Sequence, residues 1–208
     1  MFITFEGPDG SGKTTQIHKL IDQLEKDGRN IVFTREPGGT KISDQVREVL
    51  MNMENKQMFP RTETLLFCSA RAQLVEEVIR PALKEGKVVI SDRYVDSTLA
   101  YQGYGHGFDQ NLLIHLLNFT TGNLWPDLTI LLDIPSEKGL QRRIVNKEDW
   151  NRLDDYQLEF HKRVRAGYLK MAGEQPDRWK VINADRPVEV VYEEISQVIN
   201  SKLKSESH

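Results

Sequence analysis

Residues Gly7-Pro8-Asp9-Gly10-Ser11-Gly12-Lys13-Thr14 constrain this chain more than any other stretch. They fit the pattern G-x-x-x-x-G-K-[ST], and they do so in its required setting. The β-rich run Phe2 to Glu6 precedes them, and Ile17, Leu20, Ile21 and Leu24 follow at helical spacing. Gly7, Gly10 and Gly12 allow the backbone to curl so that its N–H groups face inward, toward phosphate oxygens. The start of the following helix adds partial positive charge. Lys13 can reach β- and γ-phosphates, and Thr14 can hold Mg²⁺. A chance glycine turn would not need a strand before it and a helix after it. The loop's only cation is Lys13. Charge on a transferring phosphoryl group must therefore be neutralised from elsewhere in the chain.

The rest of the sequence repeats the alternation. Ile31 to Phe33, Val88 to Ile90, Leu128 to Ile134 and Trp179 to Ile182 read as further strands. Between them lie helical patterns: a short one after Ser43, a possible N-cap, then Thr62 to Lys84, interrupted at Pro81. Another carries Leu112, Leu113, Leu116 and Leu117 and closes near Gly122, and the last carries Val191, Ile195, Val198 and Ile199. Continuously apolar strands separated by helices predict a five-stranded parallel sheet covered on both faces. With the phosphate loop this is the α/β P-loop NTPase fold. Such sheets bind ligands beyond the carboxyl ends of their strands.

Composition narrows the options. The chain has 208 residues, consistent with one domain over 1–208. A formal net charge of -3 argues against a general nucleic-acid coat. The single cysteine, Cys68, excludes an internal disulfide and suits the cytoplasm. The N-terminus lacks a signal-peptide pattern, and no apolar run approaches a membrane span.

The turns after the other strands carry the remaining chemistry. Ser91-Asp92-Arg93-Tyr94 ends the third strand. Asp92 there can orient Mg²⁺ or its waters, and Arg93 can bridge donor and acceptor phosphates; a helix cap with a solvated arginine is the competing reading. Asn146-Lys147-Glu148-Asp149 matches the guanine-reading N-K-x-D pattern. It follows a charged, helix-like stretch rather than an apolar strand, and no D-x-x-G switch follows a later strand, so a GTPase is rejected.

Glu36-Pro37-Gly38-Gly39-Thr40 follows the second strand, and Asp92 to Gly103 (DRYVDSTLAYQG) follows the third. Together with Phe5-Glu6-Gly7, Pro126-Asp127-Leu128-Thr129, Leu132-Asp133, Glu159-Phe160 and Arg163-Val164, this spacing resembles the thymidylate kinase family over most of the chain. The resemblance implies transfer of the ATP γ-phosphoryl group to dTMP, giving dTDP and ADP for dTTP synthesis, with Mg²⁺ as cofactor. It implies ATP contacts from Gly7, Pro8, Asp9, Gly10, Ser11, Gly12, Lys13, Thr14 and Thr15. It implies dTMP contacts from Asp9, Pro37, Arg47 and Arg93 around the sugar and phosphate, and from Phe67, Arg71, Thr98 and Gln102 around the base. Tyr101 would crowd the 2′ position. Phe67 and Arg71 are four apart, so a helix presents both on one face.

The resemblance also implies a small lid at about 139–153 and a homodimer. Arg143 and Arg152 are the candidate lid cations, with Arg142 in reserve. Asn151 stands where the family often has Asp, and His106 where Arg is frequent. The implied catalytic set is Lys13, Asp92, Arg93, Arg143 and Arg152, with Thr14 and Asp92 on the metal. A nucleotide monophosphate is largely a dianion at neutral pH, so no general base is needed. A kinase for another nucleotide or for a deoxynucleoside is the main rival. A neutral nucleoside acceptor would not need Arg47 or Arg93 on a phosphate and would need a base for its hydroxyl. A non-enzymatic nucleotide binder is the third reading.

Overall fold

The computed structural model describes residues 1–145 and 150–205. The N-K-x-D match at 146–149 lies outside the described residues. Strands β1 (Phe2–Glu6), β2 (Ile31–Arg35), β3 (Val88–Asp92), β4 (Leu128–Asp133) and β5 (Trp179–Asn183) form one sheet in the order β2-β3-β1-β4-β5. Every pairing is parallel. The chain leaves β1 between β3 and β4, so the turns after β1 and β3 open side by side at one edge, the switch point where such sheets bind ligands.

Side chains alternate across the sheet, as the period of a strand requires. Ile3, Phe5, Val88, Ile90, Leu128, Ile130 and Leu132 pack on one face with α1 (Lys13–Lys26) and α9 (Val188–Ser205). Phe2, Val89 and Leu131 pack on the other with α3 (Pro60–Leu74), α6 (Gln110–Thr121) and α8 (Leu158–Glu174). That second face also encloses a polar chain. Arg178 grips Asp96 at 2.6 and 2.9 Å, Asp96 accepts from Thr129, and Thr129 pairs with Thr4.

Two helix boundaries differ from the sequence reading. The helix α2 (Lys41–Met51) is capped by Thr40, whose hydroxyl accepts from the Ser43 amide; the Ser43 hydroxyl instead donates to the Ala70 carbonyl and ties α2 to α3. The expected helix over 62–84 is three pieces: α3, a π-helical turn at Val75–Ile79, and α4 (Arg80–Lys84). Pro81 sits in the first turn of α4, where its missing N–H costs nothing, and the wider turn before it absorbs the change of winding. α6 ends on Gly122 in the left-handed region, as expected. The short α5 (Val95–Thr98) and a second π-helical stretch, Leu99–Gly105, follow β3. α7 (Ser136–Val145) follows β4.

Candidate active site

The turn after β1 has the curled form its glycines predict. A Cβ on Gly10 would collide with the Gly139 carbonyl, and one on Gly139 with the Asp9 carbonyl. The phosphate loop therefore packs backbone to backbone against the root of α7. Lys13 is buried, and its ammonium donates to the Gly7 and Pro8 carbonyls, each at 3.1 Å, and to the Ser11 hydroxyl at 3.4 Å. Burial, helped by the neighbouring Arg93 charge, pushes its pKa down to about 8; Asp92 and Asp9 oppose that shift.

Thr14 donates to the Asp92 carboxylate at 3.1 Å, which brings the turns after β1 and β3 together. A hydroxyl and one carboxylate at this spacing fit Mg²⁺, which keeps several waters and takes the rest of its shell from phosphates. Among the described residues there is no cluster of three or more acidic, histidine or cysteine side chains that could hold a metal without such help.

Arg93 has φ 72°, an uncommon conformation for a residue with a side chain. The surroundings over-determine it. Its N–H donates to the Phe5 carbonyl, its carbonyl accepts from Ser91, and the next amide, Tyr94, donates to buried Glu6. The guanidinium then reaches Asp9 at 2.7 Å, the Tyr101 hydroxyl at 3.3 Å, and Ser97 and Tyr168. Tyr101 donates to the other Asp9 oxygen at 2.7 Å. Burial favours the neutral acid, but Arg93, Lys13 and Tyr101 outweigh it and hold the Asp9 carboxyl well below the usual range.

The cleft continues along α2 and α3. Arg47 lines it and donates to the Pro37 carbonyl at 2.9 Å. Phe67 and Arg71 line it one helical turn apart, and Phe67 lies outside both apolar clusters, so it is not a core residue. Arg71 is 1 % exposed. It pairs with Glu36 at 2.6 Å and donates to Thr98 at 3.0 Å and to the Tyr94 carbonyl. Gln102 lines the same wall and donates to Glu63 at 2.9 Å.

The candidate lid cations separate. Arg143 lines the cleft and donates to Asp154 at 2.6 Å. Arg142 turns away, toward the Ala184 carbonyl and Asp185. Arg152 does not reach the cleft as expected. It is 4 % exposed and bonds to the Leu50 carbonyl, the Tyr156 hydroxyl and, at 2.6 Å, to Glu63. Its place beside an arginine-rich stretch suggested a phosphate ligand, but a buried carboxylate on α3 claims it first. His106, expected to be an ordinary loop residue, also faces Glu63 at 3.1 Å.

Sequence reasoning gave no role to Arg35, Glu6 or Glu63. Arg35 lines the cleft near Arg47, and the end of β2 was the signal that could have found it. Glu6 closes β1 and shared that signal, whereas Glu63, inside α3, carried none, because burial of a helical carboxylate depends on distant partners.

Among the described residues, a phosphate loop and an acid–arginine turn face one cleft. A wall carrying one ring and two polar side chains completes it. This defines a nucleoside monophosphate kinase of the P-loop class. The thymidylate kinase family model matches residues 5–195. The chain is 50 % identical to a thymidylate kinase of Thermomicrobium roseum, covering 98 % of this chain and 96 % of that one. It is 45 % identical to one of Roseiflexus castenholzii, covering 99 % and 95 %. A crystal structure of thymidylate kinase from Ehrlichia chaffeensis superposes with a TM-score of 0.78 at 36 % identity, over 96 % of this chain and 98 % of that one. The chain belongs to the thymidylate kinase family.

Proposed function

We propose that this chain transfers the γ-phosphoryl group of ATP to the phosphate of dTMP, giving dTDP and ADP for dTTP synthesis. One observation carries the reading: Lys13, Asp92 and Arg93, close enough to shift one another's charge, line the same cleft as Phe67, Arg71 and Gln102. The first group suits two phosphate chains, and the second suits a base. In this reading the phosphate loop, Gly7 to Thr14 with Thr15, cradles ATP. Arg47 and Arg93 hold the acceptor phosphate, Pro37 shapes that end of the cleft, and Asp9 and Tyr101 flank the sugar. Thr14 and Asp92 would hold Mg²⁺, which when bound supplies charge neutralisation at the transferring group. Lys13, Arg93 and Arg143 complete it from the protein side. The acceptor is already a nucleophilic dianion, so these residues position and neutralise rather than move protons. A coupled ADP-release assay across dTMP, dUMP, UMP, dCMP and thymidine tests the reading; no turnover of any monophosphate would overturn it.

Arg143 is the lid cation we assign, and two alanine variants separate it from Arg152. Arg143→Ala lowers kcat by about 10²-fold, the scale for losing one preorganised charge at the reacting group. Arg152→Ala instead lowers stability by about 3–5 kcal/mol in urea titration, because it takes the arginine charge away from the buried Glu63 carboxylate. The reverse pattern would return the catalytic role to Arg152. We keep 1–208 as one domain with a lid at about 139–153.

The Lys13 ammonium gives a pH dependence. The protonated form binds phosphate, so ATP capture is complete below about pH 8 and declines as pH rises through that value. We expect kcat/KM for ATP to fall about tenfold per pH unit above it, while kcat falls later, because bound phosphate holds the proton on. A profile flat to about pH 10 would contradict this.

We also propose a homodimer. Ile42 and Val49 on α2, Leu65 on α3, and Leu112 and Phe119 on α6 are all exposed apolar side chains on helices that pack side by side. A monomeric mass by light scattering would count against it. The partners are then ATP, dTMP and a second copy, with no nucleic acid or membrane. No helix among the described residues is long and apolar enough to cross a membrane. We propose a cytoplasmic location, which suits the free, buried Cys68.

A further inference from the structure

We propose that Glu63 sets which atom of Gln102 faces the base, and thereby makes this cleft choose thymine over cytosine; the inference rests on the dTMP reading above. Glu63 lies on α3, is fully buried, and receives hydrogen bonds from four side chains. Gln102 Nε2 and His106 Nε2 share Oε1, at 2.9 and 3.1 Å. Arg152 Nη2 and the Tyr156 hydroxyl share Oε2, at 2.6 and 2.8 Å. Burial alone would raise its pKa, but His106, Arg152 and Gln102 hold it at about 2. The group is therefore a carboxylate at neutral pH.

A carboxylate only accepts hydrogen bonds. The amide of Gln102 must then turn its NH₂ toward Glu63, and Oε1 is the atom left to offer a ligand. Arg71, on the same wall, is a pure donor. Together they present one acceptor and one donor. Thymine offers the matching edge, an N–H at N3 and a carbonyl at C4. Cytosine reverses both, with a bare N3 and an amino group at C4. Discrimination of this kind is strong, since the wrong base leaves buried polar groups unpaired. Uracil has the same edge as thymine, so Glu63 does not separate dTMP from dUMP.

Replacing Glu63 with Gln exposes the role. Arg152 offers only donors, so the oxygen of the new amide turns to it and its NH₂ faces Gln102. The Gln102 amide then inverts and points its own NH₂ into the cleft. We expect kcat/KM for dTMP to fall by about tenfold or more in E63Q and that for dCMP to rise, so that their ratio drops by about 10²-fold. The dUMP value follows dTMP in both proteins. A residue that merely supports the fold would lower all three together. A folded E63Q with the wild-type ratio overturns the proposal. If E63Q does not fold, a crystal structure of the wild-type protein with dTMP decides. Gln102 Nε2 still bonded to Glu63, with Oε1 on the base, supports the proposal, and an amide detached from Glu63 overturns it. A wild-type protein that leaves dTMP untouched would instead sink the parent reading.

Discussion

Lys13→Met lowers kcat by about 10³-fold, equivalent to roughly 4 kcal/mol of lost transition-state stabilisation. The size of the effect follows from the loop's composition. Lys13 is the loop's only cation, and its neighbours at the ammonium are carbonyls and a hydroxyl that cannot replace it. Methionine matches the stem in shape, so the loop keeps its packing. It also removes a buried ammonium with no carboxylate in direct contact, so the melting temperature should not fall. Steady-state ADP release together with a thermal melt checks both halves. A variant retaining more than about a tenth of wild-type kcat would rule out direct contact between Lys13 and the transferring group.

Arg93→Met should lower kcat/KM for dTMP by about 10³-fold or more. Arg93 lines the cleft and pairs with Asp9, and in the proposed reading it grips the acceptor phosphate. In that reading its removal takes a fork of donors from the phosphate and leaves the Asp9 carboxylate without its ion-pair partner beside an incoming dianion. Arg93→Lys keeps the charge but loses the fork, and should recover less than a tenth of the lost activity. The left-handed backbone is no worse for Met or Lys than for Arg, so circular dichroism should report an intact fold in both. A lysine variant with full activity would reduce Arg93 to a point charge.

The fold was legible because each level of the sequence agreed with the others. The glycine loop required a strand before it and a helix after it, and the apolar runs at β3 and β4 were too continuous for a half-exposed sheet. Residues beyond strand ends were also legible: Lys13 followed from the glycine-loop pattern, and Asp92 and Arg93 from their place at the end of β3. Phe67 and Arg71 needed both the helical spacing and the family pattern. What stayed hidden depended on contacts across the chain. Nothing local to Arg152 says that it pairs with a carboxylate 89 residues away. The same holds for Glu6, whose three partners come from the segment after β3 and from α8. The π-helical turn before Pro81 was missed because a proline signals a break without saying how the winding adjusts.

The glycine-to-glycine contact between positions 10 and 139 bears on any attempt to recode this cleft. A mutational library that varies either position would mostly return misassembled protein, whatever nucleotide it was meant to admit. Diversity belongs at Arg35 and Phe67, whose side chains line the cleft without being buried in the scaffold beneath.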